Sequence, residues 1–116
     1  MKSGAIYHGQ RCLLPQVRQA SSAWERMRGL LGRPMLTAGE GFLIPHCAMV
    51  HTFGMGYALD IAFLDANGRI RKLAANVAPS RVAGSLTACT TLEMAPGTLA
   101  QTALAVGDAL AFREAA

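Results

Sequence analysis

The 116-residue chain fits one domain, residues 1–116, and leaves no room for two ordinary ones. With 52% apolar and 16% charged residues it can build a core of rather small side chains without disulfide staples, and no stretch reaches the roughly 18 apolar residues of a membrane-spanning helix. The net charge of +4 permits an acidic partner, yet no aromatic residue is interleaved with Arg26, Arg28 and Arg33 or with Arg69, Arg71 and Lys72, so nucleic acid is not expected.

Taken in chain order, "AIYHGQRCLL" reads as an edge strand that Pro15 ends. His8, Gln10 and Arg11 interrupt any apolar run there, so no signal segment is expected. The three cysteines, Cys12, Cys47 and Cys89, are odd in number and form no Cys-x-x-Cys pair, which fits reduced thiols and a cytoplasmic protein. The clearest helix lies near 22–32. Ser22 and Glu25 have capping-box spacing, and Trp24, Met27, Leu30 and Leu31 recur at helical intervals as one apolar stripe. Gly32 suits the position after the helix and Pro34 prevents continuation.

Short strands follow. "GFLI" (41–44) precedes Pro45, and "YALDIAFLD" (57–65) sets Tyr57, Leu59, Ile61 and Phe63 at period two. Asp65-Ala66-Asn67-Gly68 is a strong turn, with 69–77 as the returning strand. Thr-rich 86–94 is another strand, 98–104 one or two helical turns, and "ALAF" a last strand after Gly107-Asp108. The expected fold is mainly β, a small antiparallel barrel or sandwich with one helix near 22–32 packed on it, α+β being the alternative.

"CAMVHTFGM" (47–55) concentrates chemistry-bearing residues at a glycine-rich bend. Cys47 and His51 are four apart and share a face in helix or strand. They would begin a metal site only with help from His46, Asp60, Cys89 or Glu93, and would make a nucleophile pair only if something lowered the thiol pKa. The plainer reading packs Cys47 as a small apolar residue and bonds His51 to the backbone. Asp60 interrupts an apolar strand, so it wants a partner; Arg28, Arg33 and His51 are candidates. Glu93 in "TLEM" is a similar acid that could converge on Asp60. No phosphate-binding glycine loop, dinucleotide fingerprint or Gly-x-Ser-x-Gly elbow is present.

The ordered set "WERMRGLLGR" (24–33), "GFLIPHCAMVHTFGMGYALDIAFLDANGRI" (41–70), "TLEMAPG" (91–97) and "VGDAL" (106–110) resembles the bacterial and archaeal family called domain of unknown function 192, over about residues 12–112. The family's Glu-Arg-x-x-Gly-Leu is here Glu25, Arg26, Gly29 and Leu30. Its Pro-Leu-Asp is here Ala58, Leu59 and Asp60, with alanine where proline is usual. Many members carry Trp-Met-Lys-Asn-Thr in the centre, where this chain has His51-Thr52-Phe53-Gly54-Met55. The resemblance implies a compact, mainly β fold and no established activity.

The expected function is a non-catalytic module that binds a small molecule or protein at the bend, through Arg33, His51, Thr52, Met55, Tyr57 and Asp60. The alternatives are a small enzyme, perhaps metal-dependent, using Cys47, His51 and Asp60, and a protein-interaction accessory. No cofactor is expected, no membrane partner, and a monomer or weak dimer.

Overall fold

A computed structural model describes residues 1–116. The chain opens with a hairpin where a lone edge strand was expected. β1 (Lys2–His8) turns at Gly9, with φ +62°, and returns as β2 (Arg11–Gln19). Pro15 lies inside β2 and does not end it. A register shift absorbs its missing N–H, since Gly4 faces Val17 whereas Ile6 faces Leu14. From Gln16 onward the other edge of β2 pairs with β3 (Glu40–Pro45), and this pairing is parallel.

Between them stands α1 (Ala23–Arg28). Its start is the expected capping box: Ser22 Oγ accepts from the Glu25 N–H at 3.1 Å, and the Glu25 carboxylate accepts from the N–H groups of Ser21 and Ser22 at 2.8 and 3.2 Å. The Ser21 bond is the main reason that the Glu25 carboxyl titrates below its ordinary range. The end differs from expectation. Gly29, at φ +56°, stops the helix three residues before Gly32. Six residues make fewer than two turns, so Leu30 and Leu31 leave the helical register. Of the expected stripe only Leu30 is buried; Trp24, Met27 and Leu31 are 66%, 75% and 45% exposed.

The remaining elements are β4 (Met49–His51), β5 (Leu59–Leu64), β6 (Ile70–Val77), β7 (Val82–Gly84), β8 (Thr90–Met94), α2 (Thr98–Thr102) and β9 (Ala111–Glu114). Seven strands form one sheet in the order β6-β5-β8-β3-β2-β1-β9, and β4 and β7 form a separate antiparallel ribbon. The fold is mainly β as expected, but the sheet does not close into a barrel. A single Arg69–Ala109 bridge and the bonds Leu110 N–H to Gly68 O and Ile70 N–H to Asp108 O tie the chain before β9 to the start of β6.

The β5–β6 turn follows its sequence. Asp65 Oδ1 accepts from the N–H groups of Asn67 and Arg69 at 2.9 and 3.0 Å, and Gly68 takes φ +80°. A Cβ at Gly68 would also collide with the Leu110 carbonyl. Gly68→Ala is therefore expected to cost about 1–3 kcal/mol, read as a lower urea midpoint at unchanged slope.

Both faces of the sheet are covered, so β5 is buried along its whole length. On one face Ala62, Leu64, Leu92, Met94 and Leu43 pack with Ile6, Leu14, Ile70 and Leu99. On the other, Leu59, Ile61, Phe63, Phe42 and Ile44 pack under Leu30 and Leu36. Val50, Met55, Tyr57 and Ala83 lean on this second cluster, so the cover there has two parts, the segment after α1 and the β4–β7 ribbon.

Candidate functional site

A cleft of about 350 Å³ opens where those two covering parts meet. Met27, Leu31, Ile44, Met49, Phe53 and Met55 give it apolar walls, and Arg26, Arg28, His46, Cys47 and His51 also line it. Glu93 lines it too, from β8.

Two anchors fix the bend that forms one wall. Thr91 Oγ1 donates to the Cys47 carbonyl at 2.8 Å, and the Cys47 N–H donates to Cys89 O at 2.9 Å, which holds the bend to β8. Further along, Thr52 is 1% exposed and fully bonded. Its hydroxyl donates to Ala78 O at 2.7 Å and accepts from the Arg81 N–H at 2.8 Å, while its own N–H donates to Arg81 O at 2.8 Å. Thr52 thus pins the ribbon and is not free for a ligand. Gly54, at φ +80°, then allows the tight turn in which the Met55 N–H reaches Thr52 O.

The other wall is the end of α1. Arg33 Nε donates to Gly29 O at 3.0 Å, and its guanidinium lies 5.7 Å from the Phe42 ring centre. Arg28 donates to Leu31 O and Gly32 O. Both arginines are occupied in holding this turn, while Arg26 makes no side-chain bond to the protein.

Glu93 is the unusual group. It is 4% exposed, and neither a hydrogen bond nor an ion pair inside the protein reaches its carboxyl. Yet no fully buried side-chain nitrogen or oxygen lacks a partner, so the Glu93 oxygens must open onto the cleft. A Cβ placed on Gly29 would stand 4.0 Å from Oε1, which sets the carboxyl beneath the last turn of α1. Burial alone pushes its pKa up to about 7. Beside it, burial raises the pKa of the Tyr57 hydroxyl. The Leu36 N–H that bonds this oxygen works the other way, and the charge of Glu93 adds to the rise.

The residues expected to meet at the bend are therefore dispersed. His51 and Met55 line the cleft, and Tyr57 borders the same core. Arg33 stands outside the lining, Thr52 is internal to the ribbon, and Asp60 is on the opposite face. Strand alternation puts Asp60 with Ala62 and Leu64, and its oxygens accept from the N–H groups of Asn76 and Leu99 at 2.8 and 2.9 Å. Its partners are backbone groups and not Arg28, Arg33 or His51. Glu93 pairs with Ile61 across β5–β8, so the two carboxylates point to opposite faces and do not converge.

Cys47 and His51 share the cleft without sharing a hydrogen bond. The thiol donates to Met49 O at 3.1 Å, and His51 Nδ1 accepts from the Phe53 N–H at 3.3 Å. No three His, Cys, Asp or Glu side chains gather closely enough to hold a metal ion. The sequence offered Glu93 as a partner for Asp60 or as a further metal ligand beside Cys47 and His51, and the structure forms neither arrangement. The signal for its own role was an acid flanked directly by Leu92 and Met94 inside a strand.

No helix here is long and apolar enough to cross a membrane. The fold recurs in a chain from Sinorhizobium meliloti 1021 described as a candidate transcription regulator, at 22% identity, with a TM-score of 0.80 over 96% of this chain and 92% of that one. A protein of unknown function from Novosphingobium aromaticivorans DSM 12444 is similar at 22% identity, with a TM-score of 0.79 over 94% and 83% of the two chains. No match was found among curated proteins. The model of the uncharacterised family DUF192 ("Uncharacterized ACR") matches residues 6–112, nearly the whole chain, and the protein belongs to that family.

Proposed function

We propose that the protein is a non-catalytic binding module whose ligand enters the cleft between the end of α1 and the Cys47–Met55 bend. The observation that carries this reading is Glu93, a carboxyl group almost wholly buried, unpartnered within the protein, and lining a cleft whose walls are mainly apolar. A buried polar group without a partner costs free energy, and a ligand that supplies the partner recovers it. The exposed apolar residues support the same place. Met27, Met49 and Phe53 are 75%, 66% and 52% exposed and all line the cleft, so a ligand would bury surface that the protein leaves in water. A cleft of this size lies within the range of small-molecule sites. Catalysis by a Cys–His pair is the weaker reading, because Cys47 and His51 are each bonded to backbone and not to one another.

The test uses a neutral apolar fluorescent probe, N-phenyl-1-naphthylamine. The folded protein is expected to bind one equivalent. The double variant Met27→Ser/Met49→Ser, altered only at exposed positions, should bind about tenfold more weakly, since two apolar contacts are worth about 1.4 kcal/mol together. No saturable binding, or equal binding by the variant, would remove the cleft as a site.

A further inference from the structure

The chemistry of this cleft also narrows its ligand, on the reading just given. We propose that it takes a primary ammonium group carried on an apolar stem, with Glu93 receiving the ammonium and Met27, Leu31, Ile44 and Met55 enclosing the stem.

Complementarity leads there. A carboxylate accepts and cannot donate, so its match is a donor; inside an apolar cleft a charged donor is the strongest one. An ammonium offers three N–H donors and neutralises the charge. An anionic head would be repelled, and an alcohol would leave the charge uncompensated. The protein supplies no such cation itself. From α1, Arg28 is spent on Leu31 O and Gly32 O, and Arg26 forms no ion pair with Glu93. From the bend, His46, Cys47 and His51 face the cleft and none bonds the carboxyl. Tyr57, before β5, gives its oxygen to the Leu36 N–H. Solvent and salt screen the arginines at the mouth, so they deter a cation less than the buried carboxylate attracts it.

The reaction is an exchange of charges. When empty, the carboxyl has its pKa pushed up to about 7 by burial, so it holds its proton to higher pH than an ordinary glutamate. Ammonium binding favours the carboxylate, and that proton leaves to solvent. Two sources share this chemistry, a free amphipathic amine and a lysine side chain of a protein partner.

Calorimetric titration of the whole chain with n-hexylamine and hexan-1-ol tests the chemistry at pH 8. The amine should bind about tenfold tighter than the alcohol, lose that advantage in Glu93→Gln, and weaken by about tenfold or more at pH 5.5, where the carboxyl is protonated. The peptide acetyl-Ala-Leu-Lys-Leu-Ala-amide and its Nε-acetyllysine form separate the sources. A peptide that binds tighter than hexylamine and fails when acetylated assigns a protein lysine; a peptide no tighter than hexylamine assigns a free amine. Equal affinity for amine and alcohol with no binding of the peptide, or an amine advantage that survives in Glu93→Gln, overturns the proposal. If the fluorescent probe still occupies the cleft in that case, only the ammonium chemistry falls; if the probe fails too, the binding reading falls with it.

Discussion

Asp60→Ala is expected to lose about 3–5 kcal/mol of stability, a large share of what a small domain has. The carboxylate is 1% exposed and accepts two backbone N–H bonds, from Asn76 in β6 and from Leu99 in α2. Both attachment points are locally irregular. Asn76 sits at φ +52°, where the β5–β6 register shifts, and α2 has no side-chain cap of its own. Alanine would strand both N–H groups, one of them deeply buried. Asp60→Asn keeps one acceptor but turns an NH₂ toward the second N–H, so it should cost less, about 2 kcal/mol. Urea denaturation of the three proteins checks the order. An Asp60→Ala protein with a wild-type midpoint would show that these bonds do not hold β6 and α2.

The sequence disclosed this residue without its role, and the reason is physical. Alternation in "YALDIAFL" locates Asp60 on a strand and on the face away from Leu59 and Ile61, and the structure agrees. Its partners are backbone groups 16 and 39 residues away, which no local pattern encodes. The capping box at Ser22 and the turn at Asp65–Gly68 were legible because every bond in them spans four residues or fewer. The helix end was not. Gly29 and Gly32 both take positive φ, and nothing local says which one stops the helix. β7 was hidden for a similar reason, being three residues paired only with β4. The cleft depended on a chain of non-local events: an early helix stop, an exposed stripe, and a ribbon carried over Glu93. Of the residues expected at the site, His51 and Met55 reach the cleft because they lie on the bend that forms it.

Glu93→Gln is expected to make the protein more stable at pH 8 and to erase a pH dependence that the wild type shows. The carboxyl has a pKa of about 7 when folded against an ordinary 4.5. Below the lower value both states hold the proton and burial costs nothing through this group. As pH rises toward the upper value the unfolded chain releases its proton while the folded one keeps it, so folding loses ground. Above the upper value the loss levels off at about 3 kcal/mol. Glu25 and Glu40 shift the other way. The hydrogen bond from Ser21 leads for Glu25, and the side-chain bond from Thr37 leads for Glu40. Their contributions are present above the ordinary value and are lost below it, as pH falls through their lowered pKa values, so the two windows do not overlap. Glutamine removes the ionisation but leaves an amide in the same apolar place, at a cost of about 1–2 kcal/mol. The net gain at pH 8 should be about 1–2 kcal/mol, with wild type and variant crossing between about pH 5 and 6. Urea midpoints at pH 4.5, 6 and 8 decide it. Parallel profiles for the two proteins would mean that Glu93 finds a partner in solution. Crossing profiles would mean that the wild type carries an unpaired carboxyl at neutral pH, at a cost to its own stability, in the one place where a bound cation would relieve it.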